Sequence, residues 1–190
     1  MNTRPSPLPC LRTPRLILKG VRLKHAAAWQ RHFADYQVIR HLSTAVPWPY
    51  PKDGAAQFIQ NVLLPAQGKN RWAWGIFLKG RPDNLIGCVD LWRNQKGKPE
   101  NRGFWLGRRF WGKGYMTEAT SAVTDHAFRK LGFKKLVFAN ALGNRRSRRI
   151  KEKEGARLIG LESVKSIDPR YTKLEIWELT RADWKKLKSR

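Results

Sequence analysis

The spacing of apolar residues changes period several times along this 190-residue chain, and each change marks an element. RLILKGV (15–21) alternates and is β-branched, which predicts a first strand after a proline-rich segment, MNTRPSPLPC (1–10), expected as a flexible tail. LKHAAAWQRHFADY (23–36) has helical spacing, with Ala27, Trp29, Phe33 and Tyr36 on one side. Residues 43–51 are broken by three prolines and read as an extended loop. Asp53 is a candidate cap for a helix running through Phe58, Ile59, Val62 and Leu63 towards Pro65.

Three apolar segments follow, RWAWGIFL (71–78), NLIGCVDLWR (84–93) and RGFWL (102–106). Turn chemistry at 81–84 and 97–100 predicts that they form an antiparallel meander. Helical spacing returns from Gly114 to Leu131 and stops at Gly132, a C-cap candidate. KKLVFANAL (134–142) reads as a strand, SRRIKEKEG (147–155) as a short helix and KLEIWEL (173–179) as a last strand. The sum is a mixed α/β (α+β) fold, one domain over residues 11–190 with a single central, mostly antiparallel sheet.

Composition changes this picture in one respect. Apolar residues at 41 % and charged residues at 28 % exclude global disorder, but 39 Lys and Arg face only 14 Asp and Glu. The net charge of +25 is spread over both halves, so it belongs to the folded body and favours phosphate-rich or anionic partners over polycations. Cys10 and Cys88 make no disulfide framework, and His25, His32, His41 and His126 have no zinc-ligand spacing, so no metal is expected. No run reaches the roughly 18 apolar residues of a membrane span, and the first ten residues lack a signal-peptide core. A reduced, soluble, cytoplasmic protein is the expectation.

The candidate chemistry centres on GFWLGRRFWGKGYMTEA (103–119), where a strand enters a glycine-bearing turn and then a helix. Gly112 and Gly114 let backbone amides approach a ligand, and a helix N-terminus adds unpaired N–H donors and a positive dipole end, which together suit a pyrophosphate. Arg108, Arg109 and Lys113 add positive charge. An ordinary strand–turn–helix connection would need no ligand at all.

WGKGYMTEA (111–119), after a strand ending GFWL, resembles the acyl-CoA pyrophosphate loop of the GNAT acetyltransferases, and in particular the branch with the RimJ/RimL-type ribosomal-protein N-acetyltransferases. The family pattern is Gln/Arg-x-x-Gly-x-Gly/Ala; its first position is Trp111, its central glycine Gly114 and its last small residue Met116, so the two ends depart from the pattern. Asn144-x-x-Ser147, then Lys153 and Gly155-Ala156, resembles the family motif whose asparagine contacts the pantetheine arm. RTPRLIL (12–18), WPYP (48–51) and LEIWELTRADW (174–184) extend the likeness over nearly the whole chain.

The resemblance implies a sheet splayed at the acyl-CoA site, with acetyl-CoA as the acetyl donor. The cofactor-binding residues it implies are Trp105, Leu106, Trp111, Gly112, Lys113, Gly114, Tyr115, Met116, Asn140, Asn144 and Ser147, and the strand amides ending at Leu106 would hold the oxyanion. Many family members carry a tyrosine general acid seven residues after the motif asparagine; here that position is Lys151. Ser147 is then the remaining hydroxyl for protonating the thiolate, and its other reading is a helix cap or cofactor contact. Candidate bases are Asp168 and Glu100, with Asp90, Glu162 and Glu175 as further acids; an N-terminal amine, of pKa about 8, could also lose its proton to water. Trp48, Tyr50 and Trp74 are candidates for an acceptor pocket.

The expected activity is acetyl transfer to a primary amine, most directly the N-terminus of a ribosomal protein, by a monomer or dimer. The arginines at 145, 146, 148 and 149 could serve CoA phosphates, RNA or solvent. The rivals are acetylation of a small amine or amino acid, and a CoA-retaining, RNA-associated module without turnover.

Overall fold

The computed structural model describes residues 8–93 and 102–189. Strands β1 (Leu11–Arg12), β2 (Leu16–Gly20), β3 (Arg71–Leu78), β4 (Arg81–Trp92) and β5 (Arg102–Leu106) form an antiparallel sheet in chain order. Between β2 and β3 lie α1 (Ala26–Phe33), α2 (Tyr36–Ile39), α3 (Gly54–Phe58), a π turn at Ile59–Leu63 and α4 (Leu64–Ala66). The second half runs α5 (Tyr115–Arg129), β6 (Lys135–Ala141), α6 (Arg145–Lys153), β7 (Arg157–Ser163), β8 (Lys173–Thr180) and α7 (Arg181–Lys188).

The single sheet expected from the sequence is two sheets. The second is antiparallel, in the order β6-β8-β7. Strands β5 and β6 lie side by side, yet no hydrogen-bonded register joins them among the described residues. The strand pairing is therefore interrupted at that seam among the described residues.

Both faces of the first sheet are covered, which explains why β3 and β4 read as nearly unbroken apolar runs. Trp72, Trp74 and Ile76 pack with Ala119, Val123 and Ala127 of α5, whereas Ala73 and Phe77 pack with Trp29 and Phe33 of α1 and Ile59 beyond α3. Each buried large side chain contributes roughly 1.5–3 kcal/mol, so α5 and α1 are clamped from opposite sides onto the strands that lead to β5.

Several boundaries move. The β3–β4 turn is Lys79–Gly80, so Pro82–Asn84 lie inside β4, beside the irregular pairing near Phe77. The helix begun at Asp53 widens to a π turn just before Pro65, whose missing N–H disrupts the regular ladder. Ala27 is exposed, and His32 takes its place in the buried face of α1. The tail expected through residue 10 is docked from Leu8, and Trp74 Nε1 donates to the Pro9 carbonyl at 3.0 Å. Strand β7 and helix α7 were not expected; α7 is capped by Thr180, whose Oγ1 accepts from the Asp183 amide at 3.1 Å. Among the described residues no helix is long and apolar enough to cross a membrane.

Candidate active site

Strand β5 ends at Leu106, a short 3₁₀ turn spans Arg108–Phe110, and α5 starts at Tyr115. Gly112 and Gly114 both have φ of +76°, a backbone region where a β-branched residue is strained. A Cβ on Gly112 would meet nothing, but one on Gly114 would sit 3.2 Å from Arg15 Nη2. The loop therefore needs glycine at 114 for its backbone and for its neighbour. The first amides of α5 have no partner inside the helix and open onto this loop. The Gly114 carbonyl is already used, accepting from Glu118 N at 3.1 Å.

The loop is held from two sides. Arg15 Nη1 donates to the Lys113 carbonyl at 2.8 Å, and Arg15 Nε donates to Glu118 at 2.7 Å. Burial acts to raise the Glu118 pKa, but hydrogen bonds from Thr13 and Arg15 outweigh it and hold the carboxyl below its ordinary value. On the other side Trp111 Nε1 donates to the Leu106 carbonyl at 2.7 Å, and the Arg146 guanidinium stacks 4.5 Å from the Trp111 ring. Trp111, at the family's Gln/Arg position, thus ties the loop to both β5 and α6.

The cofactor candidates separate by what their side chains do. Met116 and Leu106 are buried in the core, and Trp105 packs on Trp29 and Phe33 at 4.9 and 5.3 Å. Leu106 and Met116 thus offer a ligand only their backbones, whereas Trp105 is half-buried. Gly112, Lys113 and Gly114 are exposed, and Tyr115 lies half-buried 4.7 Å from the Arg15 guanidinium.

Across the β5–β6 seam, Asn144 caps α6 by accepting from the Ser147 amide at 3.2 Å. Ser147 is half-buried, and its Oγ accepts a 2.8 Å hydrogen bond from Lys151 Nζ. Lys151, at the family's tyrosine position, has no solvent exposure, and burial with the nearby Arg102 charge lowers its pKa to about 7. Beside it Arg102 of β5 makes a buried pair with Glu154 at 2.6 and 2.8 Å, bridged by Thr124 of α5. Asn140 of β6 is buried, donating to Glu175 of β8 at 2.9 Å; Trp177 Nε1 and Arg148 donate to the same carboxylate. The sequence pointed to Ser147, Asn140, Glu175 and the Lys151 position one by one, but not to Arg102, Thr124, Glu154 and Trp177, nor to the polar layer that all of them form.

The base candidates fare differently. Glu100 lies outside the described residues. Asp168, in the β7–β8 connection, accepts from the Arg170 guanidinium at 3.0 and 2.8 Å and from the Arg170 amide at 3.2 Å. Those bonds, with one from Tyr36, hold its carboxyl well below the usual carboxylate range, so it is a poor proton acceptor and a brace for its loop. Asp90 is pushed up to about 6 by burial, but Arg71 grips both its oxygens.

Trp74 is fully buried between the sheet and α5, with its ring edge on His126, so it lines no pocket. Trp48 is exposed, 5.1 Å from Tyr36, and half-buried Tyr50 packs on Phe33. These two and the Asp168 loop share one end of the molecule, where Ser43 bridges to Ser166. A separate hollow of about 570 Å³ beside the glycine loop is lined by Arg31, His32, Asp35, Arg108 and Arg109. His32 has no assigned role from the sequence; burial, with the charges of Arg109 and Arg31, lowers its pKa below the ordinary histidine value.

A family model described as an acetyltransferase (GNAT) domain matches residues 15–157. The Bacillus subtilis (strain 168) protein named "Putative ribosomal N-acetyltransferase YdaF" is 28 % identical over 107 residues, 53 % of this chain and 56 % of that one. The chain thus spans little more than half the length of that curated relative. Mycobacterium smegmatis RimJ, solved with a CoA disulfide, superposes with a TM-score of 0.76 at 21 % identity over 94 % of this chain and 89 % of its own. RimL, a ribosomal L7/L12 alpha-N-protein acetyltransferase solved with coenzyme A, gives 0.73 at 16 % identity over 90 % and 98 %. At those identities the two structures speak for the fold; the family match, over most of the length and both motifs, shows that this chain belongs to the GNAT acetyltransferases, which take their acetyl group from acetyl-CoA.

Proposed function

We propose that this protein transfers the acetyl group of acetyl-CoA to the N-terminal amine of a protein, with ribosomal proteins as the substrate class. The observation that carries the reading is the Trp111–Met116 loop, with two glycines at φ +76° leading into the N-terminus of α5 and with Trp111 stacked against Arg146 of α6, the helix that carries Ser147. The names of YdaF and RimL supply the substrate class. Amides at the end of β5 are aimed at the oxyanion of the tetrahedral intermediate, and Ser147 protonates the departing sulfur. With Asp168 tied to Arg170, the attacking amine loses its proton to water or to Glu100. The exposed Arg145 and Arg149 form no ion pair among the described residues and support docking near ribosomal RNA.

Thiol release from acetyl-CoA, screened against peptide N-termini, polyamines and small amines, tests the reading. Peptides should be turned over with the highest kcat/KM. A preference for small amines by tenfold or more would overturn the substrate class.

A further inference from the structure

The Ser147–Lys151 pair is the buried feature that binding of CoA does not explain. Lys151 occupies the second turn of α6 with its Nζ wholly shielded from water, and Ser147 Oγ, 2.8 Å away, is its one close side-chain partner among the described residues. The Ser147 carbonyl lies farther, at 3.5 Å, and the Phe104 ring closes the site at 5.4 Å. Among the described residues no carboxylate lies within ion-pairing distance of Nζ, because its acidic neighbours are already engaged. Glu154, on the same helix, is bound by Arg102, and Glu175 of β8 is bound by Arg148, Asn140 and Trp177. Arg102 of β5 is the facing cation. An ammonium with three donors and one good acceptor is poorly solvated there, whereas a neutral amine would leave little unsatisfied.

We propose that Lys151 is the proton reservoir behind Ser147: it refills the Ser147 hydroxyl as that hydroxyl gives its proton to the departing CoA sulfur. The inference rests on the acetyl-transfer reading above. In the step, the carbon–sulfur bond of the tetrahedral intermediate breaks and its electron pair leaves on sulfur. The Ser147 Oγ–H bond breaks as the new S–H bond forms, and Lys151 Nζ gives one proton to Oγ. Lys151 is left neutral and regains a proton from solvent through Ser147 after CoA departs; the attacking nitrogen's own proton goes to water. Nothing is oxidised or reduced.

Chemistry explains why a reservoir is needed. A serine hydroxyl alone is a far weaker acid than a thiol, whose pKa is about 8.5, so a proton taken from an isolated serine would move uphill. Lys151, lowered to about 7, lies below the thiol, and the relay runs downhill. An ordinary exposed lysine near 10.4 would not give that direction. Since Lys151 reaches the sulfur only through Ser147, it is a positioning and proton-supplying residue rather than one that touches substrate.

The test is the pH dependence of kcat, at saturating acetyl-CoA and peptide, for wild type, Lys151→Met and Ser147→Ala. Wild type should be bell-shaped, with a falling limb above about pH 7 as Lys151 loses its proton. In Lys151→Met that limb should vanish and kcat near pH 6.5 should fall roughly 10–100-fold, the span of a lost acid, with KM for acetyl-CoA within about twofold. Methionine keeps the length and removes the charge, so the fold is retained; a thermal melt checks this. A second readout needs no turnover: the ¹³Cε resonance of Lys151 in the folded wild type should titrate near pH 7 and move in Ser147→Ala. A Lys151 resonance titrating near 10, or a Lys151→Met enzyme that keeps the falling limb, would overturn the relay. Absence of transfer to every amine, with the resonance still titrating near 7, would instead reject the parent activity.

Discussion

Replacing Lys151 by methionine should change how stability depends on pH, with a size set by the burial of the amine. In the folded protein Lys151 holds its proton only up to about pH 7, against an ordinary value of 10.5. The unfolded chain therefore binds more protons between those limits, and stability rises with pH in that window. Below pH 7 both states are protonated and this contribution goes flat. At about 1.36 kcal/mol per pH unit, the whole gap is worth up to about 5 kcal/mol, and the stretch from pH 7 to pH 9 about 2 kcal/mol. Methionine at 151 removes the titration while filling the same space against Phe104. Urea unfolding of both proteins at half-unit steps from pH 5.5 to 9.5 isolates the effect, because other titrating groups cancel in the difference. The variant should be the more stable below pH 7, and its advantage should shrink by about 2 kcal/mol by pH 9. A difference constant across that range would mean that Lys151 titrates normally and that its burial is misread.

Gly114→Val puts a β-branched side chain at φ +76° and a Cβ 3.2 Å from Arg15, so CoA affinity by calorimetry should fall at least about tenfold in the folded variant; unchanged affinity would reject the loop as the pyrophosphate site. Ser147→Ala should lower kcat by roughly 10–10³-fold while leaving acetyl-CoA binding within about twofold, and the reverse pattern would make Ser147 a cofactor contact. Asp168→Asn should cost less than about tenfold in kcat, because Arg170 already occupies the carboxylate; a loss beyond about 10³-fold would restore Asp168 as the base. Ribosomal RNA should be retained on filters with saturating CoA present and released steeply as salt rises, and no retention at low salt would sink RNA docking.

The legible parts of the fold are those whose local signal and tertiary role agree. Strand β3 and helix α5 were readable because their apolar residues face a core on schedule, and the Asn144–Ser147 spacing was readable because a helix cap uses it. Strand β7 was missed because Leu158, Ile159 and Leu161 are exposed along an irregular edge around Gly160, so no burial period marks it. The β3–β4 turn was misplaced because Pro82 and Asn84 carry turn chemistry, while the chain reverses at Lys79–Gly80. Helix α7 has a local signal in Thr180 and Asp183: the Thr180 hydroxyl donates to the Asp183 carboxylate and accepts from the Asp183 amide, closing the first turn.

At the site, the departure at Lys151 was visible from motif spacing alone. Its burial was not, because Arg102 and Phe104 reach it from β5 and Glu175 lies on β8. Asp168 looked like any strand-end acid until Arg170 closed on it from two residues away. Trp74 looked like a pocket aromatic because the coverage of both faces of β3, by α5 on one side and α1 on the other, comes from elements far away in sequence.

Which nitrogen receives the acetyl group can be read directly from a product. A peptide with a free N-terminal amine and an internal lysine is incubated with the protein and acetyl-CoA, and fragment masses locate the acetyl group. One acetyl is expected on the N-terminal nitrogen, none on the lysine, and no product with Gly114→Val. Acetyl on the lysine side chain, or no acetyl from a protein that still binds CoA in calorimetry, would contradict that expectation.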